Sequence, residues 1–212
     1  FNYELVLDER KFITDSGNYE YEEGEMRDYC RGTAAHNTVM VDGEEQSEIW
    51  KSFRVARRAL PKNVSLDING STPCFSGEHD GYRRLGSEVF HKRNICLVDN
   101  SFWLIFDRIA GRGRHRAESF IHFHPEVTIS DKLVADWGNS KIHVLPFGVD
   151  IVKTDTSYYC PEFGEKIERD MVKLKKEGKV PLNIGYILVP NVESAKIEDF
   201  ELNSGKDFSL SL

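Results

Sequence analysis

The feature that most restricts this chain is its punctuation. Short alternating runs of apolar and polar residues recur along almost its whole length, and most close on a turn signal. "FNYELVL" gives way to the polar "DERK", and "FITDSG" then runs to Ser-Gly, so the two read as a hairpin. "HNTVMVDG" is a β-branched run that ends on Asp-Gly. "GSEVFHKRNICLVDNSFWLIFDRIAG" holds two strands about Asp99-Asn100, and "LVADWGNSKIHVLPFG" is a hairpin about Gly138-Asn139. "ESFIHFHPEVTI" alternates strictly; "SFRVARRALP", "VSLDING" and "DIVKTDTSYY" read as further strands. "NYEYEEGEMRDYCRG" reads as a polar, aromatic loop. In "EKIERDMVKLKKEGK", Ile167, Met171 and Leu174 stand at helical spacing, but a strand, a turn at "KKEGK" and a second strand "LNIGYILVP" are preferred. "SAKIEDFELNSGKDFSLSL" reads as a closing strand pair. Many short strands bury their apolar sides only against another sheet. The expected fold is therefore all-β, a large antiparallel β-sandwich forming one domain over residues 1–212.

A chain of 212 residues can bury a sizeable core without staples. Its formal net charge of -7 argues against nucleic acid as a partner, which needs a basic footprint. An acidic ligand must be met by local positive charge, and arginines concentrate between Arg54 and Arg116. No apolar run approaches the length of a membrane span. Cys30, Cys74, Cys96 and Cys160 form no C-x-x-C pair; free, partly buried thiols are expected ahead of two disulfides. The chain begins in mid-pattern, as a piece of a longer protein would.

Three sets of residues carry candidate chemistry. Asp15 ends a strand in "ITDSG", and His36 begins the next clear strand twenty-one residues later. A carboxylate and an imidazole at two strand ends can meet at one rim and suit a divalent ion, most plausibly zinc, although zinc normally takes at least three protein ligands. The competing reading has Asp15 capping a turn and His36 as a satisfied structural histidine. His122 and His124 share a strand face in "FIHFHPE", as in cupin-type metal barrels. Glu126 comes too early for that pattern and the glycines are missing, so a solvent-facing polar row is preferred. His79, Tyr82 and Arg83 in "SGEHDGYRRLG" suit a sugar-binding loop, because aromatic rings stack on sugars and arginine pairs with carboxylate or sulfate.

Larger blocks carry a resemblance. "FITDSGNYEYEEGEMRDYCRGTAAHNTVMVDGEEQSEIWKSFRVARRA", "FSGEHDGYRRLGSEVFHKRNI" and "WLIFDRIAGRGRHRAESFIHFHP" resemble the C-terminal domain of the heparinase II/III-like polysaccharide lyases over roughly residues 12 to 125. Gly32 stands where members often have serine. The resemblance implies an N-terminal α/α toroid in the same chain, a cleft between toroid and sandwich, and β-elimination on acidic polysaccharides. It implies a catalytic histidine in a block upstream of Phe1, so no catalytic residue is assigned here. It implies Asp15 and His36 as two ligands of a structural zinc-like ion, and a periplasmic or secreted location. Tyr19, Tyr21 and Asn37 join His79, Tyr82 and Arg83 as candidate glycan contacts, and Asn37 can also hold the His36 loop by side-chain hydrogen bonds. A carbohydrate-binding module without chemistry is the alternative.

Overall fold

The structure, a computed structural model, describes residues 1–70, 72–86, 88–191, 201–204 and 208–211. Its strands are β1 (Leu5–Leu7), β2 (Arg10–Ile13), β3 (Val39–Val41), β4 (Ile49–Trp50), β5 (Arg54–Val55), β6 (Pro61–Asp67), β7 (Cys74–His79), β8 (Phe90–Val98) and β9 (Phe102–Ala110). They continue as β10 (Arg114–His122), β11 (Thr128–Ile129), β12 (Val134–Trp137), β13 (Ser140–Phe147), β14 (Ile151–Tyr159), β15 (Ile167–Lys179), β16 (Leu182–Pro190), β17 (Glu201–Ser204) and β18 (Phe208–Ser211). One helix, α1 (Glu25–Arg31), and 3-10 turns at Thr33–Ala35 and Gly81–Leu85 complete the described elements.

Eight strands in the order β11-β12-β13-β16-β9-β8-β7-β6 form one sheet, and β14-β15-β10-β3 form a second. The pairings are antiparallel, as in an all-β sandwich. Phe12, Ile105, Ile121, Val172, Leu174 and Tyr186 are drawn from both sheets and from β2, and they meet in one buried cluster. Val39, Tyr82, Ile109, Ala117 and Ile184 form a second cluster. The turn signals work by backbone conformation. Asp99 and Asn100 both take positive φ (48° and 51°) in the turn between β8 and β9, which Ser101 N closes by donating to Val98 O (2.8 Å).

Three expectations need correction, and one holds. The stretch expected to be a loop contains α1, seven residues long and therefore too short to show an apolar period; it presents Cys30 to the interior. The strand preferred over the helical spacing of Ile167, Met171 and Leu174 is present as β15: Val172 and Leu174 enter the inter-sheet core, and Met171 packs with Met40 and Phe120 in a separate cluster. The expected turn at "KKEGK" lies inside β15, and β15 and β16 are not a paired hairpin; after a cis Val180–Pro181 bond the chain passes from the smaller sheet to the larger. Cys74 and Cys96, directly opposed on β7 and β8, form a disulfide, while Cys30 and Cys160 are free and buried. The closing strand pair is present as β17 and β18, and residues 192–200 of that stretch lie outside the described residues.

Candidate functional site

The end of β10 gathers the site. Beyond β2, Thr14 N donates to His122 O (3.1 Å) and His124 N donates to Phe12 O (3.0 Å), so the β2 segment runs beside that end. Ahead of β3, Phe120 N donates to Thr38 O (3.1 Å) and His122 N donates to the Asn37 side-chain oxygen (2.7 Å). Segments far apart in sequence thus flank the same few residues, and the side chains that follow one and precede the other are Asp15 and His36.

His36 Nδ1 and Asp15 Oδ2 stand 2.6 Å apart, each side chain a little over a quarter exposed. A carboxylate only accepts, so the proton lies on Nδ1. Asn2 Nδ2 donates to the same oxygen (2.6 Å) and Gly17 N to the other (3.0 Å). Burial pushes the Asp15 carboxyl up, but the bond and charge of His36, the Gly17 N–H and nearby Arg169 outweigh it and hold it below the usual range. The pair lines a cleft of about 360 Å³ with Asn2, Arg31, Thr33 and Gln46. Arg31 and Asn2 went unnoticed in the sequence: Arg31 stands in a stretch that reads as a polar loop, and nothing about an isolated asparagine marks it as a partner of Asp15.

The pair tests well as part of a zinc site. A hard oxygen and an imidazole nitrogen already converge, and donors bound to one ion stand only slightly farther apart, roughly 3–4 Å. Among the described residues no three His, Cys, Asp or Glu side chains converge on one point, so the set present amounts to two ligands.

Asn37 is fully buried and its amide is engaged: Nδ2 donates to Tyr3 O (2.9 Å) and Thr14 O (3.1 Å), and Oδ1 accepts from His122 N. It ties the segments of Asp15 and His36 together and has no free group for a glycan. Arg93 Nη1 donates to Asn37 O from below. That arginine is itself fully buried, fork-bonded to Asp107 through Nε (2.7 Å) and Nη2 (2.7 Å), and Asp107 also accepts from His91 Nε2 (2.7 Å).

The "EHDGYRR" loop is placed differently from expectation. His79 is the buried last residue of β7, its Nε2 against His91 Nδ1 (3.0 Å) and its Nδ1 accepting from Gly81 N (3.2 Å). Burial first, then neighbouring positive charge, pushes its pKa down to about 2, so it is neutral. The Tyr82 ring is buried and its hydroxyl donates to Val39 O (2.6 Å), so no ring face is open to a sugar. Of the three, Arg83 is exposed. Tyr19 is half-buried, and Tyr21 is exposed against Phe53 and Phe163, with Arg27 over its ring at 5.2 Å.

His122 and His124 are not a solvent-facing row. His122 is fully buried: Nε2 donates to Ala34 O (2.9 Å), so Nδ1 accepts from Ser157 (3.0 Å). Burial and Arg169 push its pKa down to about 3. His124 stacks on Trp137 at 4.6 Å between ring centroids. Both are committed to packing in separate surroundings.

Comparison with known proteins decides the lineage. The family description "Heparinase II/III-like, C-terminal" matches residues 1–195. The chain belongs to this family. A heparin-sulfate lyase of Bacteroides stercoris is 28% identical over 113 residues, which is 51% of this chain and 15% of that protein. Among solved structures, a heparinase III superposes with a TM-score of 0.74 at 20% identity over 98% of this chain. The heparan sulfate lyase HepC of Pedobacter heparinus superposes with a TM-score of 0.73 at 15% identity over 97%. At such identities the superpositions establish the fold. The chain spans 32% of the length of either solved relative.

Proposed function

We propose that this chain is the β-sandwich part of a polysaccharide lyase that cleaves uronate-containing polysaccharides by β-elimination. The observation that carries the reading is the Asp15–His36 pair, 2.6 Å apart in an open cleft of a heparinase II/III-like domain. β-Elimination requires neutralisation of the uronate carboxylate, a base for the C5 proton and an acid for the leaving O4. In this reading an N-terminal α/α toroid and a histidine upstream of Phe1 supply reacting groups. The length of the solved relatives, about three times that of this chain, supports a longer protein.

The role proposed for the residues present is positioning. Asp15 and His36 would hold zinc together with an upstream histidine. The ion would supply positive charge at the cleft rim, and His36 Nδ1 would have to give up its proton to hold it. Asn37 and Arg93 fix the backbone behind it, and Arg31 offers positive charge along the cleft wall. A periplasmic or secreted location accords with the Cys74–Cys96 disulfide. The exposed Tyr21, Phe53 and Phe163 cluster favours carbohydrate binding without chemistry as the second reading.

The test uses the longest natural form of the protein on heparan sulfate, alginate and related polyuronates, with unsaturated uronate read by ultraviolet absorbance. Asp15→Ala or His36→Ala is expected to lower zinc content and turnover together while the sandwich stays folded. Binding of these glycans with no cleavage of any would replace the lyase reading by the binding-module one. The isolated 212 residues are expected to show no turnover, because groups that act together lose nearly all rate when separated.

A further inference from the structure

His36 and Asp15 arrive on two segments, and each segment meets a cysteine. Cys30 is the buried residue of α1, which leads through Gly32 and the Thr33–Ala35 turn to His36. Cys160 N donates to Ser16 O (2.7 Å), and Cys160 is bridged to Gly17, directly after Asp15. Gly17 has positive φ, and a Cβ there would lie 2.1 Å from Cys160 O, so the Cys160 backbone is seated on this turn as closely as glycine allows. The two sulfurs are 3.9 Å apart across 130 residues of sequence, at 6% and 2% exposure.

We propose that Cys30 and Cys160 are a cross-linking site: they close to a second disulfide that braces the α1–His36 segment against the Asp15–Gly17 turn. A disulfide needs its sulfurs about 2.05 Å apart, so they must approach by less than about 2 Å, within reach of side-chain rotation. The co-reactant is a small-molecule disulfide such as oxidised glutathione. The Cys30 thiolate attacks one of its sulfurs and releases one small thiol. The Cys160 thiolate then attacks the Cys30 sulfur of the mixed disulfide and releases the second. Two protein thiols lose two electrons and two protons, and the small disulfide is reduced to two thiols. Burial pushes the Cys160 thiol up to about 12, so closure belongs to folding, while both sulfurs are still accessible. Once closed, the bond is shielded with its sulfurs. The inference rests on the placement of the two segments and not on metal binding or lyase activity.

The test refolds the chain in a mixture of oxidised and reduced glutathione, blocks remaining thiols under denaturing conditions and maps peptides without reduction. The expected result is no free thiol and one peptide pair joining Cys30 to Cys160 beside the Cys74–Cys96 pair. Blocked, unpaired Cys30 and Cys160 would overturn the cross-link. The bracing is read by amide hydrogen exchange against the double variant C30S/C160S, which keeps the Cys74–Cys96 pair. Exchange at residues 13–17 and 30–37 is expected to be about tenfold slower or more in the cross-linked parent. Equal protection would overturn the bracing, and the peptide map of the parent stands even where the double variant does not fold.

Discussion

Asp107→Asn is expected to be among the most damaging conservative substitutions in this chain. The carboxylate is fully buried and accepts three hydrogen bonds of 2.7 Å, two from Arg93 and one from His91. An asparagine of the same shape turns one acceptor into a donor facing donors and leaves the Arg93 guanidinium, also fully buried, without a counter-charge. Removing one partner of a buried pair costs about 3–5 kcal/mol, because the remaining charge is desolvated and uncompensated. For a chain of this length each kcal/mol lowers Tm by about 2–4 °C, so the expected loss is roughly 6–20 °C. Urea unfolding gives the same quantity as a lowered midpoint at unchanged slope. The pH dependence adds a second check. Burial alone would raise the Asp107 carboxyl, but Arg93 and His91 outweigh it and hold it far below the usual carboxylate range. A depressed folded-state pKa contributes stability that is present above the unfolded value of about 3.9 and is lost as pH falls toward the folded one. The gap between parent and variant should therefore narrow below about pH 4. A midpoint shift worth less than about 1 kcal/mol at neutral pH, or a gap that stays constant into acid, would refute the assignment of this pair as the pillar under Asn37.

Gly17→Ala should destabilise by more than about 1 kcal/mol, since it adds a side chain at φ 73° and drives a methyl into Cys160 O; thermal unfolding and faster exchange of the Cys160 amide would show it. His115 donates from Nδ1 to Asp42 (2.6 Å) and from Nε2 to Arg112 O (2.8 Å), and two acceptors require the doubly protonated ring. Burial lowers its pKa but these bonds outweigh it, so the net shift is upward. The pair's stabilisation is then full below the unfolded histidine value of about 6.5 and is lost as pH rises through the folded one. A ring titration by NMR at or below about 6.5, or one unmoved by Asp42→Asn, would contradict this.

Much of the fold was legible because it is written locally. Asp99-Asn100 and Asp-Gly at residues 42 and 43 are turns by backbone preference, and each took the positive φ its residues tolerate. What was not legible is where strands cross between sheets. β15 and β16 follow one another closely, yet they belong to different sheets, and the alternation of "VKLKKEGK" is the same whichever sheet receives it. The helix α1 escaped for a related reason: seven residues with one buried side chain leave too little pattern to distinguish from loop.

The site divides along the same line. Asp15 and His36 were legible as residue types at strand ends, because chemistry that needs a carboxylate and an imidazole is restricted to few side chains. The use made of Asn37, Tyr82 and His79 was not legible. A polar or aromatic side chain next to a turn has the same sequence appearance whether its hydrogen bonds go to a ligand or to backbone carbonyls, and only packing decides. Here Tyr82 reaches Val39 O and Asn37 reaches Tyr3 O and Thr14 O, so the groups that looked available for a sugar are spent on backbone. That explains why a histidine precedes an asparagine in "AAHNT". The backbone turns opposite faces to the two residues: Asn37 goes inward, where it joins the segments carrying Asp15 and His122, and His36 is held outward in the cleft. An aspartate at position 37 would accept from His122 N but could not donate to Tyr3 O and Thr14 O. A leucine would fill the space and take this partner from Tyr3 O and His122 N, at about 1–3 kcal/mol each, while Thr14 O would keep only Arg169 Nη1 (3.0 Å). Among side chains of that size, the amide is the one that satisfies all three, and His36 depends on it for its place beside Asp15.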